Sequence, residues 1–314
     1  MEEKVEKLVI IGSGPAGLTA AIYGCRADLE PLVYMGTKYG GQLMLTSDVE
    51  NFPGFPDPVL GPDLIARMKG QAERLGARLV QDDVVRVNFK KYPFEVYTES
   101  GAVKALTVIV ATGATPKRLN LESELKLMGK GVSNCAVCDG FFFRGKNVAV
   151  VGGGDTAMEE ATFLTKFADN VKVIHRRDDL RASAALKKEA FSNPKIGFVW
   201  DTVVTDVLGD NKVKGIKTKN LKTGREGEMQ ADGLFVAIGY DPNTGIFRGQ
   251  LELDPKGYVV VKNGTESSVP GVFVAGDVHD FRYRQAVTAA ADGCKALLDA
   301  EKFVKQKLEV KLVS

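Results

Sequence analysis

The chain has 314 residues, more than one ordinary hydrophobic core supports, so two domains are expected. Its 44% apolar and 26% charged residues are those of a globular protein and argue against disorder or a fibre. Lys and Arg (42) nearly balance Asp and Glu (40), and a net charge of +2 gives no reason to expect nucleic acid or an anionic membrane as a partner.

The charged start, Met1 to Lys7, runs straight into an apolar strand and does not read as a secretory signal. Residues 7–11 predict a buried strand, 18–27 a helix and 32–35 the next strand, a βαβ opening. Segments 40–42 and 51–56 read as loop, and 62–75 as an amphipathic helix with Pro62 near its start. Short strands are expected over 84–98 and a longer apolar one over 106–111. The pattern then restarts with a strand at 148–151, a helix at 158–167 and a strand at 171–174. Further strands follow around 199–207, 213–218, 234–238 and 272–275, and a last helix covers about 285–305. The longest apolar runs, such as 148–151, fall far short of a membrane span. What repeats is a whole nucleotide-binding unit, not a short solenoid motif.

Each unit carries a glycine-rich loop between a strand and a helix. Gly12-Ser13-Gly14-Pro15-Ala16-Gly17 has glycine at all three fingerprint positions; Gly152-Gly153-Gly154-Asp155-Thr156-Ala157 has alanine at the last. A pyrophosphate is bound where free N–H groups and the helix dipole favour an anion, and glycine lets the backbone approach it. Two such loops imply two dinucleotides, FAD and a nicotinamide being the usual pair. An acid ordinarily ends the second strand of an NAD site and takes the ribose 2′-OH. Here that strand ends His175-Arg176-Arg177, with Arg181 following. Arginines there suit a 2′-phosphate, so NADPH is expected in the second unit. Asp178 and Asp179 could partly neutralise the basic patch. FAD is then expected in the first unit, although Val33-Tyr34-Met35-Gly36 ends without an acid for the ribose.

Four cysteines are too few for a disulfide scaffold. Cys135 and Cys138, two residues apart, are spaced for a reversible disulfide. Zinc would need a second ligand pair, and Cys25, Cys294, His175 and His279 do not form one, so no metal is expected. Asp139 stands beside the pair as a candidate proton donor to the leaving thiolate, or as a turn cap in Asp139-Gly140. Cys25 and Cys294 read as plain core residues.

Taken together, the first glycine loop, Gly40-Gly41-Gln42, Cys135-Ala136-Val137-Cys138-Asp139-Gly140, His175-Arg176-Arg177 with Arg181-Ala182, and Gly276-Asp277 with Tyr283-Arg284-Gln285-Ala286 closely resemble the thioredoxin reductases of low molecular weight. The motifs occur in that family's order and span nearly the whole chain. Val137 departs from the Thr common there, which bears on redox tuning. The resemblance implies an α/β fold of two Rossmann-like three-layer domains, the second inserted into the first. The domains would be 1–115 with 246–314 for FAD and 116–245 for NADPH and the cysteine pair. Beyond the first loop, Met35, Gly36, Gly41, Gln42, Val84, Thr112, Gly113, Gly276, Asp277, Arg284, Gln285 and Ala286 would serve the flavin nucleotide, with Asn51 near the isoalloxazine. Ile238 and Gly239 would join the NADPH residues.

The resemblance further implies a cytoplasmic homodimer. In it a hydride passes from NADPH to FAD, then electrons to Cys135–Cys138, and finally to a thioredoxin or a glutaredoxin-like protein. Since nicotinamide and cysteine pair would ride on one inserted unit, that unit is expected to rotate about hinges near Thr115 and Tyr240. Phe141-Phe142-Phe143 is then either an apolar docking surface or core. Related flavoenzymes that feed ferredoxin lack the cysteine pair, and those feeding a peroxiredoxin carry an extra amino-terminal region. A nucleotide-holding redox sensor would not turn over NADPH.

Overall fold

The computed structural model describes residues 4–313. They form two compact units: the chain up to Thr115 together with Asp241 onward, and Pro116–Tyr240 inserted between them. The return crossing lies before 245, where it was expected. The reason is local. Asn243 Nδ2 donates to Thr112 O (2.8 Å), Thr112 Oγ1 to Asn243 O (2.8 Å) and Thr115 Oγ1 to Asn243 Oδ1 (3.0 Å), which ties that segment to the first unit.

In the first unit the strand Val5–Ile11 lies parallel to Leu32–Tyr34 on one side and to Ala102–Val110 on the other. Arg78–Val80 extends the sheet beyond Leu32–Tyr34. Ala102–Val110 is longer than its apolar run predicts because its two halves have different partners. Its first half pairs antiparallel with Phe94–Thr98 and its last residues pair parallel with Val272–Val274, so the carboxy-terminal segment completes this sheet. Side chains alternate along Val5–Ile11, sending Leu8 and Ile10 into one core and Val9 and Ile11 into the other. Helices Pro15–Arg26 and Ala286–Val313 cover the first of these faces. They approach so closely that a Cβ on Gly293 would strike the Ala16 carbonyl.

The second unit is a five-stranded parallel sheet in the order Val132–Ser133, Gly233–Val236, Asn147–Val151, Asn170–Ile174, Ile196–Val199. Helices Asp155–Leu164 and Ala184–Ser192 pack on one face around Met158, Leu164 and Phe235. A three-stranded antiparallel sheet, Thr202–Leu208, Gly215–Asn220 and Glu226–Gln230, packs on the other through Val207, Ile216 and Leu234. Truncating one of these buried leucines to Ala would destabilise the unit by about 2–5 kcal/mol. Sequence reading misses Ala184–Ser192 and Glu226–Gln230 because neither presents an apolar stripe: Ala190 is the one buried residue of the helix, and the strand is mostly exposed. Among the described residues no helix is long and apolar enough to cross a membrane.

Candidate active site

The first glycine loop leaves Val5–Ile11 and enters Pro15–Arg26, whose N-cap is Gly14 with no side-chain capping bond. The N–H groups of that first turn therefore meet no capping side chain, and Pro15 removes one of them. Gly17 is required by close approach, since a Cβ there would run into the Gly12 carbonyl. Gly14 differs: a Cβ on it meets nothing within 4 Å, so the backbone is open where a phosphate would come. Gly41 stands over it, its notional Cβ 3.6 Å from Gly14 Cα. The Ser13 hydroxyl is spent inside the protein, accepting from Gly40 N (3.0 Å) and donating to Met35 O (2.8 Å).

Several other expected flavin residues gather in this unit. Gln42 Nε2 donates to Ala114 O (3.4 Å), and Asn51 Nδ2 donates to Gln285 Oε1 (3.3 Å). Gly41 and Gln42, within the segment 40–42 read as loop, open a 3₁₀ turn, Gly41–Leu45. Thr112 bonds Asn243, and Gly36 and Gly113 both have positive φ. Gly276 lies against Ala16, which brings the carboxy-terminal segment to the loop. Burial, aided by Asp280, pushes the Asp277 carboxyl up to about 7, and Arg284 opposes the shift. Arg284 and Gln285 lead into Ala286, the first residue of the last helix. Val84 is placed differently: it opens the strand Val84–Asn88 and packs on the core beneath the sheet.

In the second unit Gly154 caps Asp155–Leu164, again with no side-chain bond and with open space before it. Gly153 has no room for a Cβ because the His175 ring lies flush against it. His175 is buried, its Nε2 has no hydrogen-bond partner, and burial, opposed by the Asp179 backbone and aided by Arg181, Arg176 and Arg177, lowers its pKa. Arg181 N donates to Gly153 O (2.7 Å), and Ser183 N donates to Asp155 Oδ1 (2.7 Å). Those bonds hold the arginine segment against the loop, with Arg176, Arg177 and Arg181 exposed. Thr156 follows Asp155 in the first helical turn. Gly239, after Ile238, has positive φ, and its carbonyl accepts from Lys117 N (2.9 Å).

Cys135 and Cys138 are joined in a disulfide, Cα atoms 5.3 Å apart. Cys135 caps the short helix Ala136–Asp139, its Sγ accepting from Cys138 N (3.2 Å). Ser133, which sequence reading passed over, accepts the Cys135 N–H through Oγ (3.0 Å) and donates to Cys135 O (3.3 Å). Burial raises the Asp139 pKa and Ser133 opposes it. A buried carboxyl in the residue after Cys138 holds its proton more readily than a free one. The three phenylalanines divide: Phe141 (56%) and Phe142 (37%) are exposed with Val137 (55%), whereas Phe143 packs on Phe235. Cys25 and Cys294 are half-buried, and Cys25 packs against the core of the first unit.

A family model described as pyridine nucleotide-disulphide oxidoreductase matches residues 6–293. A "Thioredoxin reductase" of Streptomyces coelicolor is 54% identical over 303 residues, 96% of this chain and 94% of that one. An Arabidopsis thaliana relative named "NADPH-dependent thioredoxin reductase 3" is 51% identical over 311 residues, 96% of this chain and 59% of its own length. Among solved structures, a thioredoxin reductase from Giardia duodenalis has a TM-score of 0.92 at 44% identity. It covers 95% of this chain and 98% of that one.

Proposed function

This chain belongs to the pyridine nucleotide-disulphide oxidoreductase family, and from that membership we propose that it is an NADPH-dependent flavoenzyme that reduces the disulfide of thioredoxin. The observation that carries this reading is the closed Cys135–Cys138 disulfide with the Asp139 carboxyl beside it, in the same unit as the second glycine loop.

The residues present fit both dinucleotides. Gly14 and Gly154 each open a helix start, uncapped by a side chain, onto free space, which suits a pyrophosphate. Gly12 to Gly17 with Gly41, Thr112, Gly113, Gly276 and Asp277 would hold FAD. A carboxyl titrating near 7 suits hydrogen bonding to sugar hydroxyls. Gly152 to Thr156 would hold NADPH, with Arg176, Arg177 and Arg181 on its 2′-phosphate. The unpartnered His175 Nε2 is a further polar group at that loop. When bound, NADPH supplies a hydride and FAD accepts it, providing the two electrons that the disulfide takes up.

Opening Cys135–Cys138 uses two electrons and one proton and leaves one thiol and one thiolate. Asp139, whose hold on its proton burial strengthens, is the source of that proton. The Cys138 N–H steadies charge on the Cys135 sulfur. One sulfur then attacks the partner's disulfide to form a mixed disulfide. The other displaces the partner's thiol, which recloses the pair. A glutaredoxin-like partner would react by the same exchange. The reading includes a homodimer, as the family resemblance implies. It also includes a cytoplasmic setting, because the cycling dithiol and free Cys25 and Cys294 suit a compartment that keeps thiols reduced. The test is to add oxidised thioredoxin to flavin-loaded protein and NADPH. Consumption of NADPH matched by new thioredoxin thiols supports the reading; no consumption overturns it.

A further inference from the structure

The arginines expected to hold a 2′-phosphate are followed directly by Asp178 and Asp179, two carboxylates that would repel it. Each is held by a lysine from elsewhere in the chain. Lys222 Nζ lies 2.7 Å from Asp178 Oδ2, and Lys187 Nζ lies 2.9 Å from Asp179 Oδ1. Asp178 and Lys222 are both largely exposed, and such a pair contributes little to stability. Its consequence is electrostatic and local.

Lys222 is not a loosely tethered surface lysine. It sits in the turn between Gly215–Asn220 and Glu226–Gln230, where Asn220 Oδ1 accepts from Lys222 N (3.1 Å) and Thr223 N (2.9 Å). Its ammonium also lies 3.0 Å from Asp201 Oδ2, and the side chain of Asp201 is largely buried. Asp201 in turn is joined to the arginine segment, its N–H donating to Arg177 O (3.2 Å), while Thr202 N donates to His175 O (2.9 Å). One ammonium thus grips both the acid beside the arginines and the corner that anchors their backbone. Among the described residues no carboxylate pairs with Arg176, Arg177 or Arg181.

We infer that Lys222 is a specificity-determining residue for 2′-phosphorylated adenosine: by binding Asp178 it keeps that carboxylate from the phosphate and from Arg176 and Arg177. Lys187 does the same for Asp179. The inference rests on the reading of this loop as the NADPH site. Lys222 acts through Asp178, so it is a positioning residue and makes no contact with the nucleotide.

The test is calorimetric titration of the flavin-loaded protein with 2′,5′-ADP and with 5′-AMP at low ionic strength, for wild type, K222Q, K222R and the double variant D178N/K222Q. K222Q is expected to weaken 2′,5′-ADP by about three- to tenfold, the scale of one unit charge freed near a partly exposed anion. Binding of 5′-AMP should stay within about twofold, and added salt should shrink the difference. K222R should behave as wild type, and D178N/K222Q should regain wild-type affinity for 2′,5′-ADP. An unchanged preference in K222Q overturns the inference. So does equal loss of both nucleotides, which marks a structural role, and so does a double variant as weak as K222Q, which marks direct contact with phosphate. A wild type that binds the two nucleotides equally removes the NADPH reading itself, and the inference with it.

Discussion

The hydroxyl of Ser133 is bonded to the backbone of Cys135 twice, accepting its N–H at 3.0 Å and donating to its carbonyl at 3.3 Å, and it lowers the pKa of the nearby Asp139 carboxyl. Of the two influences on Asp139, burial raises its pKa and Ser133 lowers it. Ser133→Ala removes the second, so the limb of the pH profile that reports loss of the Asp139 proton should move to higher pH. Ser133→Thr keeps the hydroxyl and should restore the wild-type profile. The pH dependence of kcat/KM for a disulfide substrate reads this directly, and an unmoved limb in S133A means that the hydroxyl does not tune the acid.

Asp139→Asn should separate activity from stability. Loss of a positioned proton donor lowers turnover by about 10²–10⁴. Stability moves the other way. The folded-state pKa lies above the unfolded one, so the folded protein's advantage is complete below about pH 3.9. That advantage is lost as pH rises through the folded value. Above the folded value the wild type carries a buried charge that Asn lacks, and D139N should melt higher there. Comparative denaturation below and above that value checks the sign; a variant less stable above it contradicts it.

On the proposed NADPH site, replacing Arg176 and Arg177 together by Ala would remove two charge-assisted bonds to a 2′-phosphate. KM for NADPH should rise by about two orders of magnitude while KM for NADH changes by less than about threefold. Steady-state kinetics with both nucleotides measures this, and parallel losses would show that the arginines serve the fold instead.

Phe141 and Phe142 present exposed rings beside the disulfide. If a protein substrate docks there, Phe141→Ser with Phe142→Ser should raise KM for thioredoxin about tenfold or more, the loss typical of aromatic anchors. Turnover of a small disulfide reagent should stay near wild type. Equal effects on both substrates would remove the docking role.

How much of this was legible beforehand follows from how local each feature is. The two loops announce themselves because strand, glycines and helix are consecutive, and Cys135 and Cys138 are neighbours in sequence. Ser133 was not legible: it looks like one more polar residue at the end of a short strand, and only the turn of the chain brings it to Asp139. Lys222 was further out of reach, since it meets Asp178 from 44 positions along the chain through a hairpin whose exposed strand has no apolar pattern. The run Phe141-Phe142-Phe143 carries no periodicity, so sequence alone did not say which ring turns inward. The 3₁₀ turn Gly140–Phe143 decides it by burying Phe143. The return crossing falls at the expected hinge near Tyr240, a few residues before the expected domain edge at 245, and the bonds of Asn243 to Thr112 and Thr115 that set it there span a whole inserted unit.

The central claim is that electrons reach the partner through Cys135–Cys138 and by no other route. The most direct measurement is anaerobic mixing of flavin-loaded Cys135→Ser with NADPH and oxidised thioredoxin, following flavin absorbance and thioredoxin thiols together. The account predicts that the flavin bleaches as readily as in wild type while no thioredoxin thiols appear. Thioredoxin thiols forming at the wild-type rate would contradict it.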